Sequence, residues 1–242
     1  MSKAAQVKAP WLNSRDPGVP ATLNYSTLSM CGRVEEMVRR YPDYIAYEFM
    51  GKCTTYAEMW KKINACAKSL KAIGIREGDK VTICMPNAPQ TLCMFYAVNM
   101  VGAIANMVHP LSAESEISFY LRDSNSVAAI TLDQFYNKFE HIRQNTGIIN
   151  IIIASVKDAL SRTIRAGYML TEGRKQAKIP KDAPVLRWNE FLRRGRGYHW
   201  TYRVERRAGD EAVILYSGGT TGVTKGIQLT NLNFNALGKQ II

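Results

Sequence analysis

Apolar residues along this chain fall into short runs separated by longer stretches with helical spacing. β-branched and other apolar residues cluster at 45–49, 81–85, 103–108, 127–132 and 148–154, and each cluster is short enough for one strand. Between these runs the spacing favours helices, since Thr55 and Glu58 form a capping-box pattern that opens a helix and Gly74 is placed to close it. Further helices are predicted from about 88 to 101 and after Ser112, which we expect to be an N-cap.

Strands that alternate with helices of ten or more residues predict βαβ units. Such units place neighbouring strands parallel and cover both faces of the sheet with helices. We therefore predict an α/β fold with mostly parallel sheets flanked by helices. Ligands in such folds gather at the carboxyl ends of the strands.

Residues 81–113 contain no Lys, Arg, Asp or Glu, yet they are not predicted to span a membrane. Pro86 and Pro89 interrupt the start of this stretch, and the apolar remainder is about half of the ~20 residues that a spanning helix needs. The first residues lack the apolar core of a secretion signal, and the five cysteines form no Cys-x-x-Cys pair. We therefore expect reduced thiols and a cytoplasmic location.

Residues 156–207 are rich in Lys, Arg and aromatic residues, and much of the formal net charge of +12 lies there. Val156, Leu160, Ile164 and Tyr168 recur every four residues among basic side chains, which predicts a basic amphipathic helix. Three interpretations of this segment stay open. It is a solvated linker, a surface for anionic lipid at the inner face of the membrane, or, least favoured because no helix-turn-helix, RRM or KH signature accompanies it, a nucleic-acid surface.

A glycine-rich run with hydroxyls and one lysine follows the apolar segment 212–216. It consists of Tyr216, Ser217, Gly218, Gly219, Thr220, Thr221, Gly222, Val223, Thr224, Lys225 and Gly226. Glycines allow backbone N–H groups to approach an anion, hydroxyls add neutral donors, and a lysine adds a compact positive charge. The run is therefore predicted to bind phosphate. It is not an ordinary P-loop, because Lys225 precedes a glycine and the residues that follow predict a strand instead of a helix.

This run resembles the phosphate-binding signature of the adenylate-forming enzymes, which include acyl-CoA synthetases, luciferases and the adenylation domains of peptide synthetases. That signature reads Tyr-Ser/Thr-Ser/Gly-Gly-Thr-Thr/Ser-Gly-x-Pro-Lys-Gly. Thr224 stands where the family usually has proline, and together with Gly218 it makes the run most similar to the long-chain fatty acyl-CoA synthetase branch.

Other segments extend the resemblance from about Tyr25 to Leu237. Residues 84–89 are similar to the family's Met-Pro-Asn segment, and 106–124 to its Asn-Pro-Leu, Glu-Leu and Asp-Ser elements. Residues 229–233 match its Leu-Thr-His-x-Asn segment, with Asn231 in place of the histidine. His109 stands where the family usually has asparagine, after a strand at its expected ligand-facing end.

The resemblance implies the N-terminal part of the large domain of an AMP-forming acyl-CoA ligase. Such an enzyme activates a carboxylic acid, here expected to be a long-chain fatty acid, as an acyl-adenylate, and then transfers it to coenzyme A. ATP, Mg²⁺ and coenzyme A are implied, with the eleven residues of the run holding the ATP phosphates and Thr220 near Mg²⁺. The alternative is a non-catalytic module that binds nucleotide or a membrane surface.

The same resemblance implies what lies elsewhere in the family's sequence. The segments for adenine, ribose and the metal-binding glutamate, and the C-terminal lysine, are expected beyond Ile242, as is most of the acyl tunnel. No catalytic residue is therefore expected within this chain, which alone should not complete the reaction. We divide it into an N-terminal arm (1–24), an α/β subdomain (25–155), a basic aromatic insertion or linker (156–207), and the start of a second α/β part with the phosphate-binding loop (208–242).

Overall fold

The computed structural model describes residues 10–170, 179–218 and 224–241. Its helices are α1 (Met30–Arg40), α2 (Tyr56–Ala72), α3 (Pro89–Met100), α4 (Glu114–Asp123), α5 (Tyr136–Arg143), α6 (Arg162–Leu170), α7 (Trp188–Arg196) and α8 (Asn231–Gln240). Its strands are β1 (Ile45–Phe49), β2 (Lys52–Thr55), β3 (Lys80–Cys84), β4 (Ile104–Met107), β5 (Ser126–Leu132), β6 (Asn150–Ala154), β7 (Leu186–Arg187), β8 (Glu211–Ser217) and β9 (Lys225–Thr230). Short 3-10 helices cover Pro10–Ser14, Asp133–Phe135 and Val156–Asp158.

Seven of the strands form one sheet, in the order β7-β6-β5-β3-β4-β8-β9. Every neighbouring pair in it is parallel except β8 and β9, which are antiparallel. The predicted mostly parallel sheet is thereby confirmed. β1, predicted from its apolar run, pairs instead with β2 in a separate antiparallel hairpin.

Helices cover both faces of the sheet. On one face, buried side chains of α2, α3 and α7 pack with the strands, among them Ile63, Leu70, Met94, Val98 and Phe191. On the other face, α4 and α5 contribute Ile117, Leu121, Phe139 and Ile142 to a second cluster. The interior strands are therefore shielded on both sides, as their continuous apolar runs require.

The predicted start and end of α2 are confirmed. The Thr55 hydroxyl accepts the Glu58 N–H at 3.3 Å, and the Glu58 carboxylate accepts the Thr55 N–H at 3.1 Å. These reciprocal bonds satisfy two N–H groups that the first turn of a helix leaves without partners. Gly74 follows the helix with φ +92°, a conformation that residues with a side chain rarely adopt.

The predicted N-cap of α4 was wrong by one residue. Ser112 lies in the preceding turn, where its N–H donates to the His109 carbonyl at 3.1 Å. The cap is Ala113, whose own N–H donates to the Glu116 carboxylate at 3.0 Å. The Glu116 carboxylate therefore binds the N–H of the cap residue, whereas a serine cap would have accepted an N–H from within the first turn.

The basic amphipathic helix predicted from Val156 to Tyr168 is not continuous. The structure has a 3-10 turn over Val156–Asp158 and a separate α6, which begins at Arg162. The break has a local cause, because the Asp158 carboxylate turns back to accept the Ser155 N–H at 3.0 Å. Ser161 then starts the new helix, with its hydroxyl accepting the Ile164 N–H at 3.4 Å.

Segments 25–155, 156–207 and 208–242 each contribute strands to the single seven-stranded sheet. The division into four parts stays a prediction. Among the described residues no helix is long and apolar enough to cross a membrane. All five cysteines are free; four are buried and Cys53 is exposed.

Candidate phosphate-binding site

The predicted phosphate-binding run lies on the antiparallel hairpin at one edge of the sheet. Ser217 pairs with Lys225 and Tyr216 with Gly226, so the loop between them leaves the carboxyl end of β8. Because β8 is parallel to β4, the carboxyl end of β8 lies on the same side of the sheet as the carboxyl ends of β3, β4, β5 and β6. Lys225 begins strand β9, as the sequence predicted, and no helix follows the loop directly.

Three groups at the described ends of the loop suit an anion. Ser217, Gly218 and Lys225 are exposed, and they bring a hydroxyl, a backbone N–H and an ammonium to the hairpin mouth. A Cβ at Gly218 would meet nothing within 4 Å, so the space beside it is open. Thr224 is half-buried. Gly219, Thr220, Thr221, Gly222 and Val223 lie outside the described residues.

Tyr216 fastens the end of β8 to the end of α4. Its hydroxyl lies 3.1 Å from the Tyr120 carbonyl oxygen and 3.3 Å from a carboxylate oxygen of Asp123, and its single proton is donated to one of them at a time. The Tyr216 ring stacks on that of Tyr120 with centroids 4.0 Å apart. Burial first, and then the neighbouring Asp123 carboxylate, raise the pKa of Tyr216, so the hydroxyl stays a donor at physiological pH.

Gly226 lies opposite this tyrosine and is needed for close contact. A Cβ at position 226 would lie 3.1 Å from Tyr216 Cε1, 3.2 Å from Asp123 Oδ2 and 3.3 Å from Ile214 Cγ2. These distances are tighter than ordinary carbon contacts, so any larger residue would displace a neighbour. From the sequence, Gly226 is explained only by phosphate binding. The structure shows that it is also needed for close packing beside Lys225.

Asn231, which stands in the place of the family's histidine, is fully buried and satisfies four hydrogen bonds. Its Oδ1 accepts from the Met30 N–H at 3.0 Å and from Asn99 Nδ2 at 2.8 Å. Its Nδ2 donates to the carbonyls of Arg207 at 3.0 Å and Asp210 at 3.1 Å. Asn231 thus joins the start of α8 to α1, α3 and the approach to β8.

His109 lies beside the hairpin. It comes two residues after Met107, which pairs with Leu215, and Ser217 comes two residues after Leu215 on the neighbouring parallel strand. His109 is exposed, and its Nδ1 accepts the Leu111 N–H at 3.3 Å. His109 thus follows the carboxyl end of β4, as predicted, and its place beside a ligand stays a prediction.

Asp123 and Asn99 are residues of this region for which sequence reasoning gave no role. Asp123 was recognised only as part of a family segment. Asn99 interrupts a stretch without charged residues, and it is 2% exposed. A polar residue inside an apolar helix is a signal for a buried hydrogen bond, because an unpaired amide there would be costly.

The described residues contain no group of three or more His, Cys, Asp or Glu side chains placed to hold a metal ion. Among the residues that the structure describes at the hairpin mouth, Ser217 and Thr224 carry hydroxyl oxygens and the backbone adds carbonyl oxygens. Hydroxyl, carbonyl and phosphate oxygens are ligands that Mg²⁺ accepts, so the site's chemistry is compatible with that ion when a triphosphate is bound.

Known proteins match this chain over most of its length. Residues 34–242 match the family described as AMP-binding enzyme. A long-chain-fatty-acid–CoA ligase of Bacillus subtilis is 30% identical over 232 residues, covering 96% of this chain and 41% of that protein. A protein of the same name from Salmonella typhimurium is 31% identical over 242 residues, covering 97% of this chain and 42% of the relative. The chain thus spans about two fifths of the length of these relatives.

Solved structures show the same fold. A long-chain-fatty-acid-CoA ligase from Archaeoglobus fulgidus superposes with a TM-score of 0.71 at 21% identity, covering 93% of this chain and 41% of that one. An anthranilate CoA ligase in complex with anthranoyl-AMP gives 0.72 at 19% identity, covering 90% of this chain and 37% of that one. With the family match over residues 34–242, these findings confirm the resemblance seen in the sequence, and the chain belongs to the AMP-binding enzyme family.

Proposed function

We propose that this chain is the part of an AMP-forming acyl-CoA ligase that binds the ATP phosphates, and that the acid activated is a long-chain fatty acid. The observation that carries the proposal is the hairpin itself. A run that matches the adenylate-forming signature leaves the carboxyl end of β8 with Ser217 and Lys225 facing each other at its base. The names of the relatives from B. subtilis and S. typhimurium support the acyl class.

The proposed chemistry has two steps. A carboxylate oxygen attacks the α-phosphorus of ATP, the bond to the β-phosphate oxygen breaks, and pyrophosphate leaves from an acyl-adenylate. The thiol of coenzyme A then attacks the acyl carbon, and AMP leaves. The loop serves the first step, because donors fixed on the β- and γ-phosphates align pyrophosphate for in-line departure and stabilise its developing charge.

Within that loop Lys225 supplies the positive charge, and Ser217, Gly218, Gly219, Thr220, Thr221 and Gly222 supply hydroxyl and N–H donors. Tyr216 and Gly226 hold the strands on either side, through the contacts with Asp123 described above. Mg²⁺, held by phosphate oxygens and by Thr220, would neutralise triphosphate charge. The residues for adenine, ribose and acyl binding are proposed to lie in the part of the relatives that this chain does not match.

The test of the site is Lys225→Ala in the full-length protein. A charge-assisted bond to phosphate is worth ~1.5–3 kcal/mol. We therefore expect ATP-dependent adenylate formation to fall roughly tenfold to a hundredfold or more. Pyrophosphate exchange with a panel of carboxylic acids measures this fall and the acyl preference together.

The matched control is Lys181→Ala, an exposed lysine that precedes β7 at the opposite edge of the sheet from β9. It should leave exchange unchanged. Equal ATP dependence of exchange in Lys225→Ala and in the unaltered protein would exclude Lys225 from the site.

The 242-residue chain alone is expected to show no exchange and at most weak binding of Mg-ATP in calorimetry. Absence of exchange in the full-length protein with every acid would favour the non-catalytic alternative.

We also propose a cytoplasmic protein that associates peripherally with an anionic membrane surface through residues 156–207, with no nucleic-acid partner. Support comes from the basic and aromatic composition of that segment. Each Lys or Arg near an anionic surface contributes about 1 kcal/mol, and this attraction is screened by salt.

A further inference from the structure

A groove of about 560 Å³ lies between α2 and α7, on the face of the sheet away from α4 and α5. Its volume is within the range of ligand sites, roughly 300–1,000 Å³. Its lining residues are Trp60, Lys61, Asn64, Ala65, Lys68, Leu192, Gly195 and Arg196. Trp60, Ala65 and Leu192 make the groove largely apolar, and three cations border it.

At Gly195, which lines the groove, the two helices approach so closely that only a glycine fits. A Cβ at Gly195 would lie 2.3 Å from Ser69 Oγ and 2.7 Å from the Ser69 backbone nitrogen. The last turn of α7 therefore lies directly against α2. Trp60 and Leu192 line the groove on the same two helices.

The positive charge of the groove is uncompensated. None of its lining residues is acidic, and among the described residues Lys61, Lys68 and Arg196 form no ion pair. The Lys68 ammonium lies 5.4 Å from the centre of the Tyr202 ring. The nearby carboxylate of Glu35 is already bound by Arg203 at 3.1 Å and by Arg39 at 2.9 Å, and Arg203 covers the Trp60 ring at 5.5 Å. The groove is thus electrostatically suited to an anion.

An aromatic pair with an exposed tryptophan follows the groove along the chain. Tyr198 and Trp200 meet edge to face with ring centroids 5.5 Å apart, and Trp200 is 73% exposed. Arg196, at the rim of the groove, ends the helix just before them. An indole this exposed is typical of proteins that rest on a bilayer, where it lies at the level of the lipid headgroups.

We propose that the α2–α7 groove binds the headgroup phosphate of an anionic phospholipid while Trp200 enters the bilayer interface. The proposal rests on the peripheral association proposed above and names its site. The apolar floor and the exposed indole favour lipid over nucleic acid, which would need a longer cationic stripe to follow successive phosphates. Lys61 and Lys68 lie on α2, outside residues 156–207, so the surface joins two regions that are distant in sequence.

The test is co-sedimentation of the full chain with vesicles of phosphatidylglycerol or of phosphatidylcholine. Lys61→Gln/Arg196→Gln removes two exposed cations of the groove. Each neutralised cation should weaken binding about fivefold, so the double variant should bind phosphatidylglycerol roughly 25-fold more weakly at low salt. Trp200→Ala should weaken binding at high salt as well, because its contribution is apolar.

The matched control is Arg122→Gln/Arg143→Gln, which makes the same change of charge on α4 and α5, on the other face of the sheet and outside residues 156–207. It should bind like the unaltered chain. If the unaltered chain binds phosphatidylglycerol and both double variants bind equally, the groove is wrong while peripheral association stands. If the unaltered chain binds neither vesicle, or both equally, both proposals fail. RNA binding that only the groove variant loses would overturn the lipid proposal in favour of nucleic acid.

Pyrophosphate exchange by the full-length groove variant should equal that of the unaltered protein, which separates this inference from the ligase activity.

Discussion

The interior strands and the hairpin that carries the candidate site are built in opposite ways. In β3, β5 and β6 nearly every residue is buried, and helices lie on both faces. In β9 the first four residues are exposed and the last two only half-buried. The interior strands are held by apolar burial from two sides, whereas β9 is held by its backbone ladder with β8 and by a few polar and close-packed contacts.

This difference indicates how the site is positioned. β8 is buried through Ala212–Ile214, but its last residues leave the core before the loop begins. Beyond that point Tyr216 bonds to α4, Gly226 packs against Tyr216, and Asn231 anchors the helix that follows. A site placed by a few directed contacts is sensitive to single changes at those contacts and tolerant elsewhere.

The largest expected effect contrasts an isoleucine in each region. Ile130 is 0% exposed in β5, so Ile130→Ala should lower the free energy of unfolding by about 2–5 kcal/mol. Ile227 is 45% exposed in β9, so Ile227→Ala should cost less than about 1 kcal/mol. Urea unfolding of the two variants measures both values. Equal losses would mean that the hairpin is held by apolar burial after all.

The next effect concerns the buried amide of Asn231. Asn231→Ala leaves the Met30 N–H and the Asn99 amide without their acceptor, while the carbonyls of Arg207 and Asp210 lose one bond each and keep a backbone N–H. We expect a loss of about 3 kcal/mol. Asn231→Asp keeps the acceptor but loses both donated bonds, so it should also be clearly destabilised. Asn235→Ala, which removes one exposed bond to the Leu28 carbonyl, is the control and should cost below about 1 kcal/mol. Similar unfolding free energies for Asn231→Ala and Asn235→Ala would contradict the anchoring role.

Two glycines of the hairpin should differ in the same way. Gly226→Ala forces apart Tyr216, Asp123 and Ile214 and should cost about 1–3 kcal/mol. Gly218→Ala adds a methyl group to open space, so its unfolding free energy should stay within about 0.5 kcal/mol of the unaltered chain. Thermal and urea unfolding of both variants measure these two changes in the free energy of unfolding. A neutral Gly226→Ala would show that the packing beside Lys225 is loose.

The smallest effect is the pH dependence of the ion pair that joins α1 to the segment before β8. The hydrogen bond from Arg203, with a smaller contribution from Arg39, holds the pKa of Glu35 below its usual range. A lowered folded pKa adds stability above the unfolded value of about 4.3, and this stability is lost as pH falls through the folded pKa. Because Arg203 is half exposed, Glu35→Gln should cost less than about 1 kcal/mol at pH 7. The difference from the unaltered chain should shrink toward pH 3; a constant difference would exclude the ion pair as its cause.

Local pattern predicted much of the fold. The apolar runs located β1, β3, β4, β5 and β6, and the capping box located the start of α2. The sequence missed β2 and β7, since β2 is four mostly polar residues and β7 only two residues long, too short for a periodic signal. The spacing of apolar residues also predicted one helix across Ser161 where the structure has two pieces. Spacing does not show the break, because it depends on the Ser161 hydroxyl, which accepts a backbone N–H and starts a new helix.

The sequence by itself determined the family resemblance, the alternation of strands and helices and the position of the run that we propose to bind phosphate, because each depends on residues close together along the chain. Only the tertiary structure decided the order of the strands, the separation of β1 from the main sheet and the contacts that hold the hairpin. The bond between Tyr216 and Asp123 joins residues 93 apart, that between Asn231 and Asn99 joins residues 132 apart, and that between Asn231 and Met30 spans 201. Such contacts leave no local pattern, since they form only when packing of the sheet and its helices brings distant segments within hydrogen-bond distance.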